Sequence, residues 1–225
     1  MSNVSKITVE ITKSGARIES MSFNGSKNVK TVSVADLANV FAKNAVLDSG
    51  ILPTSDGIAY YGNHSDKEIV VYTKPPLIRT LSYRKEKFRV PVPRTYFFVS
   101  LSPNAQTGTK KIVKTNMFAA NGIIRKKTDY LRRFPFCNVY GSSGNICWGS
   151  NTLSPIRDLY GIEYYFDLFW SSPFNGDLEP SIVPTGTNTA GYFSWADQTG
   201  AIEFDASSLP TSGSFNDVIA SMTTR

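Results

Sequence analysis

The sequence predicts an α+β fold: an antiparallel meander sheet, flanking helices and one irregular flap. Three observations predict it. Residues 58–101 hold short β-type runs separated by turn and proline residues. Two stretches, 33–46 and 155–171, instead repeat apolar residues three and four apart, the period of a helix face. Residues 134–149 follow neither period; they are apolar, rich in turn residues and irregular.

Taken in order, Ile7–Ile11 alternates and so does Ala16–Phe23, with Lys13-Ser14-Gly15 between them as a turn. This predicts an opening β-hairpin, closed by Phe23-Asn24-Gly25-Ser26. Leu37, Val40 and Phe41 then share a helical face. Ser33 or Thr31 precedes them as a cap, with Asp36 three residues after Ser33, which predicts a helix over 33–46. Gly50, Pro53 and Gly57 mark a loop. Four strands follow, 58–61, 67–72, 80–83 and 96–101, read as one meander, with 111–114 and 117–120 as its continuation. Ser154 as cap and Pro155 at the first helical position predict a helix over 155–171, with Ile162, Phe166 and Phe169 on its buried face and Gly161 as a weak point. Tyr164, Tyr165, Phe169 and Trp170 are expected to pack in the core. Residues 180–215 read as an irregular excursion, and 215–219 as a short last helix. The expected organisation is an N-terminal hairpin extension (1–30), a core domain (31–178) and an irregular C-terminal extension (179–225).

A chain of 225 residues with 41% hydrophobic and 19% charged residues can build a core without staples. No apolar run approaches a membrane span, and the first eight residues lack the apolar centre of a secretory signal. The expected compartment is the cytoplasm, with no membrane partner. Two cysteines and one histidine, His64, exclude a disulfide framework and the usual zinc sets; no metal and no cofactor is expected. His64 falls in a hairpin turn and reads as a surface residue.

The net charge of +6 is unevenly spread. Lys74, Arg79, Arg84, Lys85, Lys87, Arg89 and Arg94 face only Glu86 within 74–94, while 95–134 adds eight cations against Asp129 and 135–225 carries nine acids against two arginines. Such a basic middle suits nucleic acid, an acidic protein partner, or pairing with the acidic end inside one fold. Internal pairing is the favoured reading, since no zinc finger, recognition helix or stacking motif accompanies the charge.

Chemistry concentrates in 134–149. Cys147 lies nine residues after Asn138, across a Gly141-Ser142-Ser143-Gly144 turn. A turn there can fold the Asn138 amide towards the thiol, where it would donate to an oxyanion, and a thiolate is a strong nucleophile near neutral pH. On spacing alone the plainer reading is favoured: Cys147 as a small buried residue and Asn138 as a turn residue. Gly141–Gly144 is no phosphate loop, because no Gly-Lys-Ser/Thr follows.

The string Phe136-Cys137-Asn138-Val139-Tyr140 through Gly144-Asn145-Ile146-Cys147 resembles the His-Pro-Asn-(Val/Ile)-Tyr…Gly-x-(Ile/Val)-Cys segment of ubiquitin-conjugating enzymes. With Phe134-Pro135 before it and Trp148-Gly149 after it, the string resembles the prokaryotic branch that includes PRTRC-system protein B. Gly50-Ile51-Leu52-Pro53 and Leu168–Phe174 are looser matches, so the resemblance spans about residues 45–178. It implies a ubiquitin-conjugating-enzyme-like fold in the order helix, antiparallel sheet, flap, helices. It implies Cys147 as the acceptor of a thioester and Asn138 as the oxyanion donor or flap brace. The family's histidine and proline are replaced by Phe136 and Cys137, and the interval from asparagine to cysteine is about one residue longer. Asp158, Asp167 and Asp177 are candidates for an acid near the acceptor amine, and Arg132 and Arg133 for cations near the thiolate. The implied partners are a ubiquitin-like protein and an activating-enzyme-like protein, with a metalloprotease-like companion in the same plasmid or phage system. Two other readings compete: a catalytically inactive scaffold of the same fold, and a basic nucleic-acid-associated plasmid or phage protein, which is not the favoured one.

Overall fold

The computed structural model describes residues 4–12, 15–22, 24–36, 47–64, 66–178 and 188–223. The chain forms two compact units, 1–46 and 47–225.

In the first unit, β1 (Val4–Thr12), β2 (Gly15–Ser22) and β3 (Lys27–Val32) form an antiparallel three-stranded sheet in that order. The opening hairpin is present, with Val9 opposite Ile18 and Ile11 opposite Ala16. The third strand was not legible, because its residues are mostly exposed and polar and carry no apolar alternation. Val34–Asp36 begin a helix with Ser33 as its cap: Asp36 N donates to Ser33 Oγ at 2.9 Å and Ser33 Oγ donates to Asp36 Oδ2 at 2.7 Å. Residues 37–46 of that expected helix lie outside the described residues.

The second unit is built on a seven-stranded antiparallel sheet. Its strands are β4 (Leu47–Asp48), β5 (Gly57–His64), β6 (Lys67–Lys74), β9 (Arg94–Asn104), β10 (Thr109–Ala120), β11 (Tyr130–Arg133) and β12 (Thr211–Ser214). They lie in the order β12-β11-β10-β9-β6-β5-β4. Both faces are buried at its centre. Val70, Tyr72, Phe97 and Val99 face one core, and Ile69, Val71, Tyr96 and Phe98 face the other. That is why these strands read as continuous apolar runs and not as clean alternation.

The meander is interrupted at one point. β6 pairs directly with β9, Val71 opposite Phe98. The intervening β7 (Leu77–Tyr83) and β8 (Glu86–Val92) leave the sheet as a separate hairpin. Thr80–Tyr83 is therefore a strand, but not of the meander. Pro75-Pro76 and Pro93 stand where the chain leaves and re-enters the sheet. The runs 111–114 and 117–120 join in one strand, β10, which has a register shift between Ile112 and Lys114 that leaves Val113 half exposed.

Among the described residues, three helices pack on this unit. α1 (Gly161–Ser171) buries Ile162, Tyr165, Phe166, Phe169 and Trp170, while Tyr164 stays exposed. It starts later than Pro155 because Ile156 is held extended: Ile156 N donates to Lys110 O at 2.9 Å, and Lys110 N to Ile156 O at 2.7 Å. A Cβ at Gly161 would stand 2.7 Å from Ile156 Cγ2, so glycine permits the close start. α2 (Thr189–Thr199) falls where irregular chain was expected. Asn188 Oδ1 caps it by accepting from Gly191 N at 2.8 Å, Gly200 ends it in the left-handed region, and Tyr192, Phe193 and Ala196 are buried. α3 (Phe215–Thr223) packs Phe215, Val218, Ile219 and Met222 on the opposite face, extending the short helix expected there.

Part of the basic middle is paired internally. Lys74 meets Asp56 and Glu163, both at 2.9 Å, Arg79 meets Asp167 at 3.3 Å, and Lys127 meets Asp48 at 2.6 Å. Among the described residues no helix is long and apolar enough to cross a membrane.

Candidate functional site

Residues 138–147 form a tight hairpin laid along β10. Cys147 N donates to Asn138 O at 2.8 Å, Val139 bridges Ile146, and Tyr140 N donates to Asn145 O at 2.8 Å. Asn138 is left-handed at φ 66°, a conformation that asparagine tolerates better than most residues. The returning arm docks on the sheet: Met117 N donates to Gly144 O at 2.8 Å and Ile146 N to Thr115 O at 3.1 Å. Asn116 Nδ2 adds bonds to Ser143 O (2.6 Å) and Asn145 Oδ1 (2.9 Å). Trp148 pins the end of the hairpin, donating Nε1–H to Thr115 Oγ1 at 2.9 Å and packing against Phe97, Tyr165 and Phe169.

This arrangement separates the two cysteines. Cys137 is buried, with its thiol 3.7 Å from Thr189 Oγ1. Cys147 is exposed. The reading of Cys147 as a buried filler, favoured on spacing, is overturned; Cys137 fills that role. The reason is the anchor on each side of the exposed residue: Ile146 and Trp148 point into the core, so the residue between them points out.

Cys147 opens on a cleft of about 290 Å³. Asn138, Trp148, Asn151, Ser172, Pro173, Asn175 and Asp177 are among its walls. The Asn138 amide donates to Pro173 O at 3.1 Å, tying the hairpin to the chain beyond α1. An amide nitrogen carries two hydrogens, so this bond occupies one of them. Asn151 Nδ2 donates to Ser172 Oγ at 2.9 Å, and that hydroxyl donates to Leu168 O at 2.6 Å, so the floor is fixed to the helix end.

Of the three candidate acids, Asp177 alone lines this cleft. Its carboxylate accepts from Asn175 Nδ2 at 3.1 Å. Asp158 accepts from Tyr160 N at 3.0 Å before α1, and Asp167 pairs with Arg79. Arg132 and Arg133 are not among the cleft residues; Arg132 donates to Leu209 O at 3.0 Å and Thr211 Oγ1 at 3.1 Å, which holds β12 in place. Among the described residues no group of three or more His, Cys, Asp or Glu is placed to hold a metal ion.

Phe136, standing where the segment that this flap resembles has histidine, is 1% exposed and touches five other rings, those of Phe134, Trp170, Tyr192, Phe193 and Phe204. The position braces the flap by apolar packing where the related segment uses a polar side chain.

No curated protein and no solved structure gives a match to this chain. A family model does: the one described as prokaryotic E2 family D matches residues 27–209, a span that includes strands β4 to β11, the Cys147 hairpin, α1 and α2. The mostly antiparallel, mixed architecture is compatible with an E2-like fold. An accessible cysteine on a braced flap, within a match over most of the chain, leads to one conclusion: the protein belongs to prokaryotic E2 family D.

Proposed function

We propose that this chain accepts a ubiquitin-like protein as a thioester on Cys147 and passes it to an amine. The carrying observation is the exposed Cys147 in an open cleft whose wall includes the Asn138 amide, while the other cysteine is buried. The Cys147 thiolate attacks the carbonyl carbon of the thioester that joins the ubiquitin-like C-terminus to an activating enzyme. A new carbon–sulfur bond forms, and the activating enzyme's thiolate leaves. An acceptor amine then attacks the same carbon and releases Cys147 as thiolate, and the amine's surplus proton passes to solvent. Asn138 acts twice in this reading. One amide hydrogen holds the flap to Pro173; the other is available to the tetrahedral oxyanion. Asp177 stands on the cleft where the incoming ammonium arrives. The chain supplies the nucleophile and the donor from its own side chains.

Membership of the PRTRC-system protein B type is part of the proposal. It is supported by Phe134-Pro135 ahead of the flap and by Gly50-Ile51-Leu52-Pro53 ahead of β5.

Incubation with the cognate activating enzyme, ubiquitin-like protein and ATP tests the reading. A reductant-sensitive adduct is expected that Cys147→Ala abolishes and Cys137→Ala spares. Asn138→Gly keeps the left-handed backbone but also releases the bond to Pro173; it is expected to slow aminolysis by about 10²–10³-fold, far more than it changes alkylation of Cys147. Absence of any adduct with a verified pair would favour a non-catalytic scaffold.

A further inference from the structure

The β7–β8 hairpin ends in a two-residue turn, Arg84-Lys85, with both residues left-handed at φ 49° and 75°. Turns of this hand ordinarily take asparagine and glycine, because a Cβ is disfavoured there. Both residues are exposed, as are Lys87 and Arg89 on the following arm. Glu86 is the one acid among them. Unlike Lys74, Arg79 and Lys127, none of these four has its side chain in an ion pair among the described residues. The turn thus carries two disfavoured cations where neutral residues fit better.

The tip is fastened to the Cys147 cleft. Arg84 N donates to Phe174 O at 3.1 Å, and Phe174 N donates to Ser82 O at 2.7 Å. Phe174 lies between Pro173 and Asn175, both in the cleft wall. The Arg84 guanidinium stands 5.3 Å from the Tyr83 ring centre and crosses Gly176, where a Cβ would be 2.8 Å from its terminal nitrogen. Gly176 separates Asn175 from Asp177, which also lies in the wall. The hairpin therefore brings to the rim of the cleft a guanidinium that rests on Tyr83 and has no ion-pair partner among the described residues.

We infer that the Arg84–Lys85 tip reads an acidic side chain on the C-terminal tail of the ubiquitin-like protein that Cys147 receives. This rests on the acyl-transfer reading above. A cleft of about 290 Å³ holds only a few small residues, and an extended tail advances about 3.3 Å per residue. The tail residues crossing the rim are thus a few positions before the reacting carbonyl. Asp177, the carboxylate on that wall, is already engaged by Asn175. Clustered exposed cations select and orient an acidic ligand more than they tighten it.

Two labelled tail peptides test this, both ending in Gly-Gly and differing only in carrying glutamate or glutamine at the two preceding positions. Titrated by fluorescence anisotropy against the Cys147→Ala chain, the acidic peptide is expected to bind roughly five- to tenfold more tightly at low salt. The preference should vanish near ~1 M salt. Arg84→Asn with Lys85→Gly should remove it, although this pair installs the residues the turn prefers and so spares the hairpin. Gly176→Ala, which crowds only the guanidinium end, should reduce it in part. Equal binding of the two peptides, or a preference that survives the double variant, overturns the inference. The same peptides as C-terminal thioesters, offered to the wild-type chain, separate the two claims. Adducts on Cys147 at equal rates defeat the tip's role alone. Tip-dependent binding with no adduct on Cys147 sustains the tip and defeats acyl transfer.

Discussion

Replacing Gly144 with alanine is expected to lift the Cys147 hairpin off β10. Gly144 is buried at φ 71°, and a Cβ there would run into the Phe118 ring, with Cε1 and Cε2 at 2.7 and 2.9 Å. Phe118 has little room to swing, since it is 2% exposed and packs edge-on against Phe98 with ring centres 5.7 Å apart. The left-handed backbone costs alanine about 1 kcal/mol relative to glycine. Overpacking a close-packed site adds about 1–3 kcal/mol. The sum, about 2–4 kcal/mol, corresponds to a fall in Tm of roughly 4–16 °C for a chain of this size. The bonds at risk are those from Met117 N to Gly144 O and from Ile146 N to Thr115 O. Thermal melting, hydrogen exchange at the Ile146 amide and iodoacetamide labelling of Cys147 read the three levels of the effect. A Tm within about 1 °C of wild type, with exchange and labelling unchanged, would refute the claim that Phe118 makes glycine obligatory at this position.

Phe136→His installs the residue type of the segment that this flap resembles, yet is expected to destabilise by about 3 kcal/mol, because it removes one ring from a cluster of six and buries an imidazole among the other five. Urea unfolding checks this, and a loss under about 1 kcal/mol would contradict it. His64, the chain's single histidine, has its pKa held below the ordinary value by burial, with Asp48 opposing and Lys127 adding to the shift. The unfolded chain therefore binds a proton more readily, so His64 contributes stability that is present above about pH 6.5 and is lost on acidification below it. His64→Gln should flatten the slope of Tm between about pH 7.5 and 5.5; parallel slopes for variant and wild type would sink this assignment.

Local pattern reveals an element when its burial follows its own period. β6 and β9 were legible because tertiary contacts cover both their faces and leave unbroken apolar runs. The exit of β7–β8 from the sheet was not, because pairing of β6 with β9 is a choice between distant partners, and the Arg84-Lys85 turn lacks the Asn-Gly signal of its type. α2 was hidden by glycine, serine and threonine interspersed with its core residues, although Asn188 and Gly200 are ordinary start and stop signals. Cys137 and Cys147 look alike in sequence, since both lie in one apolar, irregular stretch. Their different exposure follows from how the hairpin docks on β10, a long-range contact that no local period encodes.

Trp148 turns the hairpin into its own fluorescent gauge. Its indole belongs to the residue next to Cys147, bonded to Thr115 and boxed by Phe97, Tyr165 and Phe169. The other two tryptophans can be silenced: Trp195 is half exposed, and Trp170 has a buried Nε1 with no hydrogen-bond partner among the described residues, so phenylalanine there removes an unmet donor. With a single emitter left, any load placed on the adjacent thiol that strains the docked arm is recorded as a change in colour and intensity, without a label attached to cargo or carrier.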